Sequence, residues 1–250
     1  MPTRATIGPW STDAQHAGPP SALLGRAIEA AAGVDPGQPA RITFDILRPV
    51  PLVPLRAETR VLRAGKRVEQ LEATLTVAAD GTELMRARAW RLRVTPVELP
   101  DGLGIPDPPP PGPDGLAEHA RPAFWHGDVV YWDALEWRRA AGDLERPGPA
   151  TYWTRLRIDL VAGERATPFQ HLLAMADAAS GISATLDWMR FTFVNVDYSV
   201  ALERQPEGAW LAMDAVTRLG SRGAGVCTAV LSDTRGRIGS SSQALVVTPL

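Results

Sequence analysis

The feature that most constrains this chain is an internal repeat. Around Gly65 the sequence runs Arg63-Ala64-Gly65-Lys66-Arg67, and around Gly220 it runs Arg218-Leu219-Gly220-Ser221-Arg222. Each glycine stands sixteen residues before a second one, Gly81 or Gly236, that closes a turn signal: Asp80-Gly81 in the first half and Asp233-Thr234-Arg235-Gly236 in the second. Asp-Gly between two β-prone runs marks a hairpin, because the glycine takes up the positive φ that a tight turn requires. The segments around these landmarks repeat as well. Pro19-Pro20 opens a predicted helix over 21–32, with Leu24, Ala27, Ile28 and Ala31 at helical spacing. Strand-like runs follow at 41–47, 55–63, 68–77 and 83–94. Pro168 opens a second predicted helix over 169–186, followed by runs at 190–200, 210–218, 225–231 and 237–247.

Between the two copies lies Pro108-Pro109-Pro110-Pro111-Gly112-Pro113, which can neither donate to a sheet ladder nor continue a helix. The chain thus divides into an N-terminal unit, 1–95, a proline-rich linker, 96–122, read as an extended, semi-rigid connector, and a C-terminal unit, 123–250. A mainly apolar helix followed by an antiparallel meander is an α+β pattern in which a curved sheet wraps one buried helix. The absence of βαβα alternation argues against a doubly wound parallel sheet. Each unit reads as a hotdog, and the chain as a tandem, double hotdog.

Charge and composition narrow the function classes. The formal net charge is -2 and no block of like charge occurs, whereas a nucleic-acid surface needs clustered cations. Cys227 is the single cysteine, so neither a disulfide framework nor a zinc site with cysteine spacing is available. No metal or cofactor is expected. No run approaches the roughly 20 apolar residues of a membrane helix, and the first residues lack the pattern of a signal peptide; the expected compartment is the cytoplasm. A Gly-x-Ser-x-Gly elbow, a P-loop and a dinucleotide fingerprint are all missing.

Three segments carry a resemblance: Gln170-His-Leu-Leu-Ala-Met-Ala-Asp177-Ala-Ala-Ser-Gly181, Phe193-Val-Asn195-Val-Asp197-Tyr-Ser199 and Gly239-Ser-Ser-Ser-Gln243. Together they resemble the type II acyl-CoA thioesterases, double-hotdog proteins, and above all their actinobacterial thioesterase-like relatives, over about Trp10 to Val247. The resemblance implies an acyl-CoA substrate, homodimers, and a catalytic trio that polarises a water against the thioester carbonyl. That trio is an Asp on the central helix, a Thr on the next strand and a Gln late in the last strand. Asp177 and Gln243 match the first and third positions, and Asn195 stands where the family has Thr. An amide donates and accepts with a geometry different from that of a hydroxyl, so a second reading is kept: a non-catalytic acyl-CoA or acyl-ligand binding protein of the same fold. Hotdog hydratases place a His five residues after the Asp, where this chain has Ile182.

The N-terminal copy serves as an internal control. Matching Leu23-Leu24 to Leu172-Leu173 sets Ile28 opposite Asp177, so one site per chain is expected, in the C-terminal unit. Gly18, in the loop before the first helix, permits a close approach of an acyl chain or of the other half. His16 reads as a lone surface histidine, His171 is assigned no role, and Asp197 shares a strand face with Asn195. Most of the eight tryptophans read as core or packing residues, some of which could line an acyl tunnel. Arg63, Lys66, Arg67, Arg218 and Arg222 read as solvated turn charges rather than as partners of CoA phosphates.

Overall fold

The computed structural model describes residues 1–100, 108–144 and 146–250; residues 101–107 of the expected linker lie outside the described residues. The N-terminal half comprises α1 (Gly18–Ala30) and strands β1 (Gly37–Ile46), β2 (Leu55–Arg63), β3 (Val68–Val77) and β4 (Glu83–Arg93). All four strands fall where the apolar runs place them. The C-terminal half comprises β5 (Leu135–Asp143), β6 (Arg146–Leu156), α2 (Pro168–Ala176), α3 (Ala179–Ile182), β7 (Phe191–Asn195), β8 (Asp197–Leu202), β9 (Leu211–Leu219), β10 (Ala224–Asp233) and β11 (Gly236–Pro249).

Among the described residues the strands form one antiparallel sheet in the order β2-β3-β4-β1-β8-β11-β10-β9-β6-β5, with β7 paired to β11 beside β8. The halves join along the β1–β8 ladder, where Phe44 stands opposite Tyr198 and their rings stack at 4.5 Å. Two hotdog sheets thus run on as one, and α1 and α2 lie side by side in the concavity. Leu24, Ile28, Leu172 and Leu173 are fully buried there, which accounts for helices apolar on nearly every face.

The helices touch through glycine. A Cβ on Gly18 would lie 2.2 Å from the carbonyl oxygen of Ala174, and one on Gly25 would lie 2.2 Å from a methyl carbon of Leu173. The close approach expected of Gly18 is therefore one to the other half of the chain. The far ends are tied by polar pairs: Arg26 bonds Glu164 through two 2.6 Å contacts, and Glu29 accepts from Thr167 and Gln170 at the start of α2.

The sequence reading missed β5 and β6. Thr151-Tyr152-Trp153-Thr154 is a β-branched and aromatic run, but it lies just after Pro147-Gly148-Pro149 and is buried on both faces, so no alternation marks it. The linker explains the second covered face: the Trp153 indole donates to the Pro111 carbonyl at 2.6 Å and Arg138 donates to that of Pro113. The described part of the proline-rich run is thus laid against the outside of the sheet.

The second helix also departs from expectation. A single helix over 169–186 is predicted, but α2 stops at Ala176 and α3 resumes at Ala179. No proline or glycine stands at the break. In an unbroken helix the Ser180 N–H would bond the Ala176 carbonyl. Here one side chain from β11 takes both groups: the Gln243 amide nitrogen donates to Ala176 O at 2.9 Å and to Asp177 O at 3.0 Å, and its oxygen accepts from Ser180 N at 3.2 Å. A side chain inserted into the ladder is a recognised cause of a kink.

A similar irregularity divides the strand expected over 190–200. Asn195 pairs with Leu245, whereas Ser199 pairs with Ser242, so the register slips by one residue at Val196. Asp197 therefore does not share the face of Asn195: it is exposed, and its carboxylate accepts from the Ala244 N–H at 2.7 Å. The alternation rule fails because a bulge intervenes.

Two stability predictions follow from these contacts. Gln243→Leu leaves three buried backbone groups without partners, and we expect it to lower the unfolding free energy by about 2–4 kcal/mol in urea titrations. His171 is buried on α2, its Nε2 3.0 Å from the Thr154 hydroxyl, and burial pushes its imidazole down to about 3 from the ordinary 6.5. The folded chain keeps this ring neutral while the unfolded chain protonates it. Its contribution is therefore complete above about pH 6.5 and is lost toward pH 3 at up to ~1.4 kcal/mol per pH unit. Urea titrations at about pH 7 and about pH 5 should show a shallower loss for His171→Gln than for the parent chain.

Candidate active site

The helix break sets Asp177 at the C-terminal end of α2, with a side chain only 3% exposed. Both carboxylate oxygens are engaged. Oδ1 accepts from the Asn195 amide at 2.6 Å, and Oδ2 lies 2.9 Å from Nδ1 of His16. The expected trio is thus brought together, but its members stand differently toward the space around them. Asp177 and Asn195 line a cavity of about 360 Å³. Gln243, 1% exposed, does not, and both of its amide hydrogens are used on the carbonyls of the helix break. A water held directly by that amide has no donor left to meet. Gln243 reaches the site through the backbone that presents Asp177.

His16 is the residue that sequence reasoning passed over. Its side chain is 12% exposed, and its ring stacks on Tyr131 at 3.8 Å with 5° between the planes. The loop that carries it is anchored along its length: Gly8 N–H bonds Ala14 O, Gln15 N–H bonds Val50 O and His16 N–H bonds Thr6 O. Tyr131 ties the other side, with its N–H donating to Ile7 O and its hydroxyl to Ala174 O at 2.7 Å. Burial first, and then the charge of Asp177, raise the phenol well above its ordinary range, so Tyr131 remains a neutral donor. Tyr198, on the seam strand, is raised for the same two reasons and donates to Leu173 O. A local clue to His16 existed in Gln15-His16-Ala17-Gly18-Pro19-Pro20, where a histidine stands two residues before a helix start that must pack tightly. Its meeting with Asp177 depends on the packing of the two halves.

The remaining wall is aromatic and comes from three separate stretches of chain. Trp10 stacks on Trp188 at 4.8 Å, Phe124 stacks on Trp188 at 4.3 Å, and Phe193 meets Trp188 edge-on at 4.5 Å. Trp125, Trp132 and Trp137 line the cavity behind Tyr131. These tryptophans therefore serve both as core and as cavity wall. A second cavity, of about 870 Å³, lies between the halves along α1 and shares Gln15 and Tyr131 with the first. The site expected in the C-terminal unit alone is in fact lined from both ends of the chain. Of the basic residues, Arg48 lines the first cavity, and none of the turn cluster Arg63, Lys66, Arg67, Arg218 and Arg222 lines either one. Ile28, the counterpart of Asp177 in the first copy, is fully buried core, so the carboxylate is not duplicated.

Chemically, the arrangement offers a buried carboxylate held at both oxygens, an imidazole and an amide beside it, and an apolar aromatic enclosure that strengthens their electrostatics. No helix among the described residues is long and apolar enough to cross a membrane.

Comparison with known proteins agrees with this architecture. No curated protein matches the chain. Among solved structures, a candidate thioesterase II from Thermobifida fusca YX superposes with a TM-score of 0.76 at 22% identity, covering 98% of this chain and 90% of that one. A hot dog protein of unknown function from Alicyclobacillus acidocaldarius gives 0.74 at 16%, covering 98% and 90%. The acyl-CoA thioesterase II of Mycobacterium marinum gives 0.65 at 14%, covering 95% and 90%. At such identities these likenesses establish the tandem hotdog fold alone. The family itself is established by sequence: the N-terminal domain of the acyl-CoA thioesterases matches residues 6–92 and their C-terminal domain matches residues 106–247. Together the two matches span nearly the whole chain, which therefore belongs to the acyl-CoA thioesterase family.

Proposed function

We propose that the chain hydrolyses an acyl-CoA thioester by direct attack of water at a centre built on Asp177. The observation that carries this reading is the double engagement of the Asp177 carboxylate, with Asn195 on one oxygen and His16 on the other, inside an aromatic cavity. Thioester hydrolysis needs a water, a negative centre to draw its proton away, and an enclosure that admits the acyl group while limiting bulk solvent. Asp177 supplies the negative charge. Asn195, in the position where the family has Thr, fixes the carboxylate through a 2.6 Å donor rather than through a hydroxyl. Gln243 acts as a positioning residue by holding open the helix turn from which Asp177 projects. The aromatic cavity and its larger neighbour would divide the acyl group and the pantetheine arm between them.

The test is hydrolysis of an acyl-CoA panel, from short to long chain, by the parent chain and by Asp177→Asn. The substitution keeps the shape and removes the charge, and a loss of kcat of about 10²–10⁴-fold is expected. Turnover unchanged in Asp177→Asn would remove the carboxylate from the mechanism. No turnover of any member, with acyl-CoA binding still measurable by calorimetry, would make the chain a binding protein of the same fold. Asn195→Ala frees one oxygen of Asp177 and should lower kcat by roughly tenfold, an effect of about 1.4 kcal/mol on the barrier, with little change in KM.

A further inference from the structure

We propose that His16 is the proton acceptor and donor of this site, with Asp177 acting through it. The inference rests on the thioesterase reading above and names the group that moves the proton. Four side chains lining the cavity can carry charge: Asp177, His16, Tyr131 and Arg48. Tyr131 is held neutral with its hydroxyl on Ala174 O, and an arginine keeps its proton. Asp177 has both oxygens occupied and only 3% of its side chain exposed. The His16 ring faces the same cavity, and among the described residues its Nε2 has no hydrogen-bond partner.

The tautomer decides whether that nitrogen can act. Two groups compete for Nδ1: the Asp177 oxygen at 2.9 Å and the Gly18 N–H at 3.1 Å. Nδ1 has one in-plane site, so it either donates to the carboxylate or accepts from Gly18. In this structure the Gly18 N–H is the group aligned on Nδ1, and the Asp177 oxygen stands 2.9 Å from the same nitrogen; a negative charge that close favours a proton on Nδ1 over a lone pair, and a small turn of the ring brings that proton onto the carboxylate. The charge of Asp177 thus selects the donating arrangement. Gly18 N–H belongs to the first turn of α1, where N–H groups lack helical partners in any case. With the proton on Nδ1, the Nε2 lone pair is open to the cavity. The stack on Tyr131 and the anchored loop hold the ring in that orientation.

The reaction then balances without a further reagent. The water oxygen bonds to the thioester carbonyl carbon as the π pair moves onto the carbonyl oxygen, and the water's proton passes to Nε2. The resulting imidazolium keeps its Nδ1–H on Asp177. When the carbonyl re-forms, the C–S bond breaks and the sulfur leaves with its pair, taking the proton from Nε2 as a thiol. The acid remains, and the histidine returns to its starting tautomer.

This assignment makes the site depend on both halves of the chain, since His16 precedes α1 and Asp177 ends α2. It is tested on the full chain in two ways. Long-range ¹H–¹⁵N correlation of ¹⁵N-histidine-labelled protein should place the neutral-ring proton of His16 on Nδ1 in the parent chain. A proton on Nε2, with Nδ1 accepting from Gly18, would overturn the proposal. His16→Gln and His16→Ala should lower kcat by about 10²–10⁴-fold with KM changed only a few-fold. Added imidazoles should restore turnover to His16→Ala in proportion to their basicity, a response that loss of packing alone would not give. Full kcat in His16→Gln alongside an inactive Asp177→Asn would refute the role of His16 and leave the thioesterase reading standing. Failure of the parent chain to hydrolyse any acyl-CoA would instead sink that reading itself.

Discussion

One side-chain amide holds the centre of this molecule in place. Gln243, reaching in from the last strand, occupies both ends of the hydrogen bond that Ala176 and Ser180 would otherwise share and takes the Asp177 carbonyl as well. A buried backbone group left without a partner costs on the order of 1–3 kcal/mol. The helix stays open here because this amide meets the Ala176, Asp177 and Ser180 groups, while the Tyr131 and Tyr198 hydroxyls take the Ala174 and Leu173 carbonyls of the same helix end. Asp177 itself keeps helical dihedrals of −60° and −29°, so the open ladder redirects the chain beyond Ala178 while the amide pins the backbone that bears the carboxylate. Asp177 projects from this helix end toward Asn195 on one side and His16 on the other. The geometry of the site thus rests on a residue that does not touch the cavity.

Close packing supplies the second condition. α1 and α2 come from different copies of the repeat, yet they touch with no Cβ between them at Gly18 and only a leucine methyl facing Gly25. That contact brings the loop before α1 up to the end of α2, and the loop carries His16. Around them Trp10, Phe124, Trp188 and Phe193 gather from separate stretches of chain into one wall. Duplication built the scaffold, and divergence confined the carboxylate to one copy, with Ile28 filling the matching place in the other. The site is asymmetric although the fold is nearly symmetric.

Much of this was legible beforehand. The paired turns, the two apolar helices and the four strands of the first half follow from spacing and from turn chemistry, and the family resemblance pointed to Asp177, Asn195 and Gln243, the trio on which the proposed function is built. Three features could not be seen. β5 and β6 escaped because a strand covered on both faces does not alternate. The helix break escaped because its cause lies far along the chain in β11 rather than in a local proline or glycine. The bulge at Val196 escaped because nothing local marks it, and it sends Asp197 outward although simple alternation would have paired it with Asn195.

The sequence by itself determined the repeat, the α+β class and the family, and singled out the carboxylate proposed to act, because these depend on local periodicity and on residue types at fixed spacing. Only the tertiary structure decided that Gln243 spends its amide on the backbone, that Asp177 is clamped between Asn195 and a histidine from the other half, and that the wall is assembled from three separate stretches of chain. Those outcomes are contacts between residues far apart in the chain, and a hydrogen bond or a ring stack is set by ångström distances that no spacing along the sequence encodes.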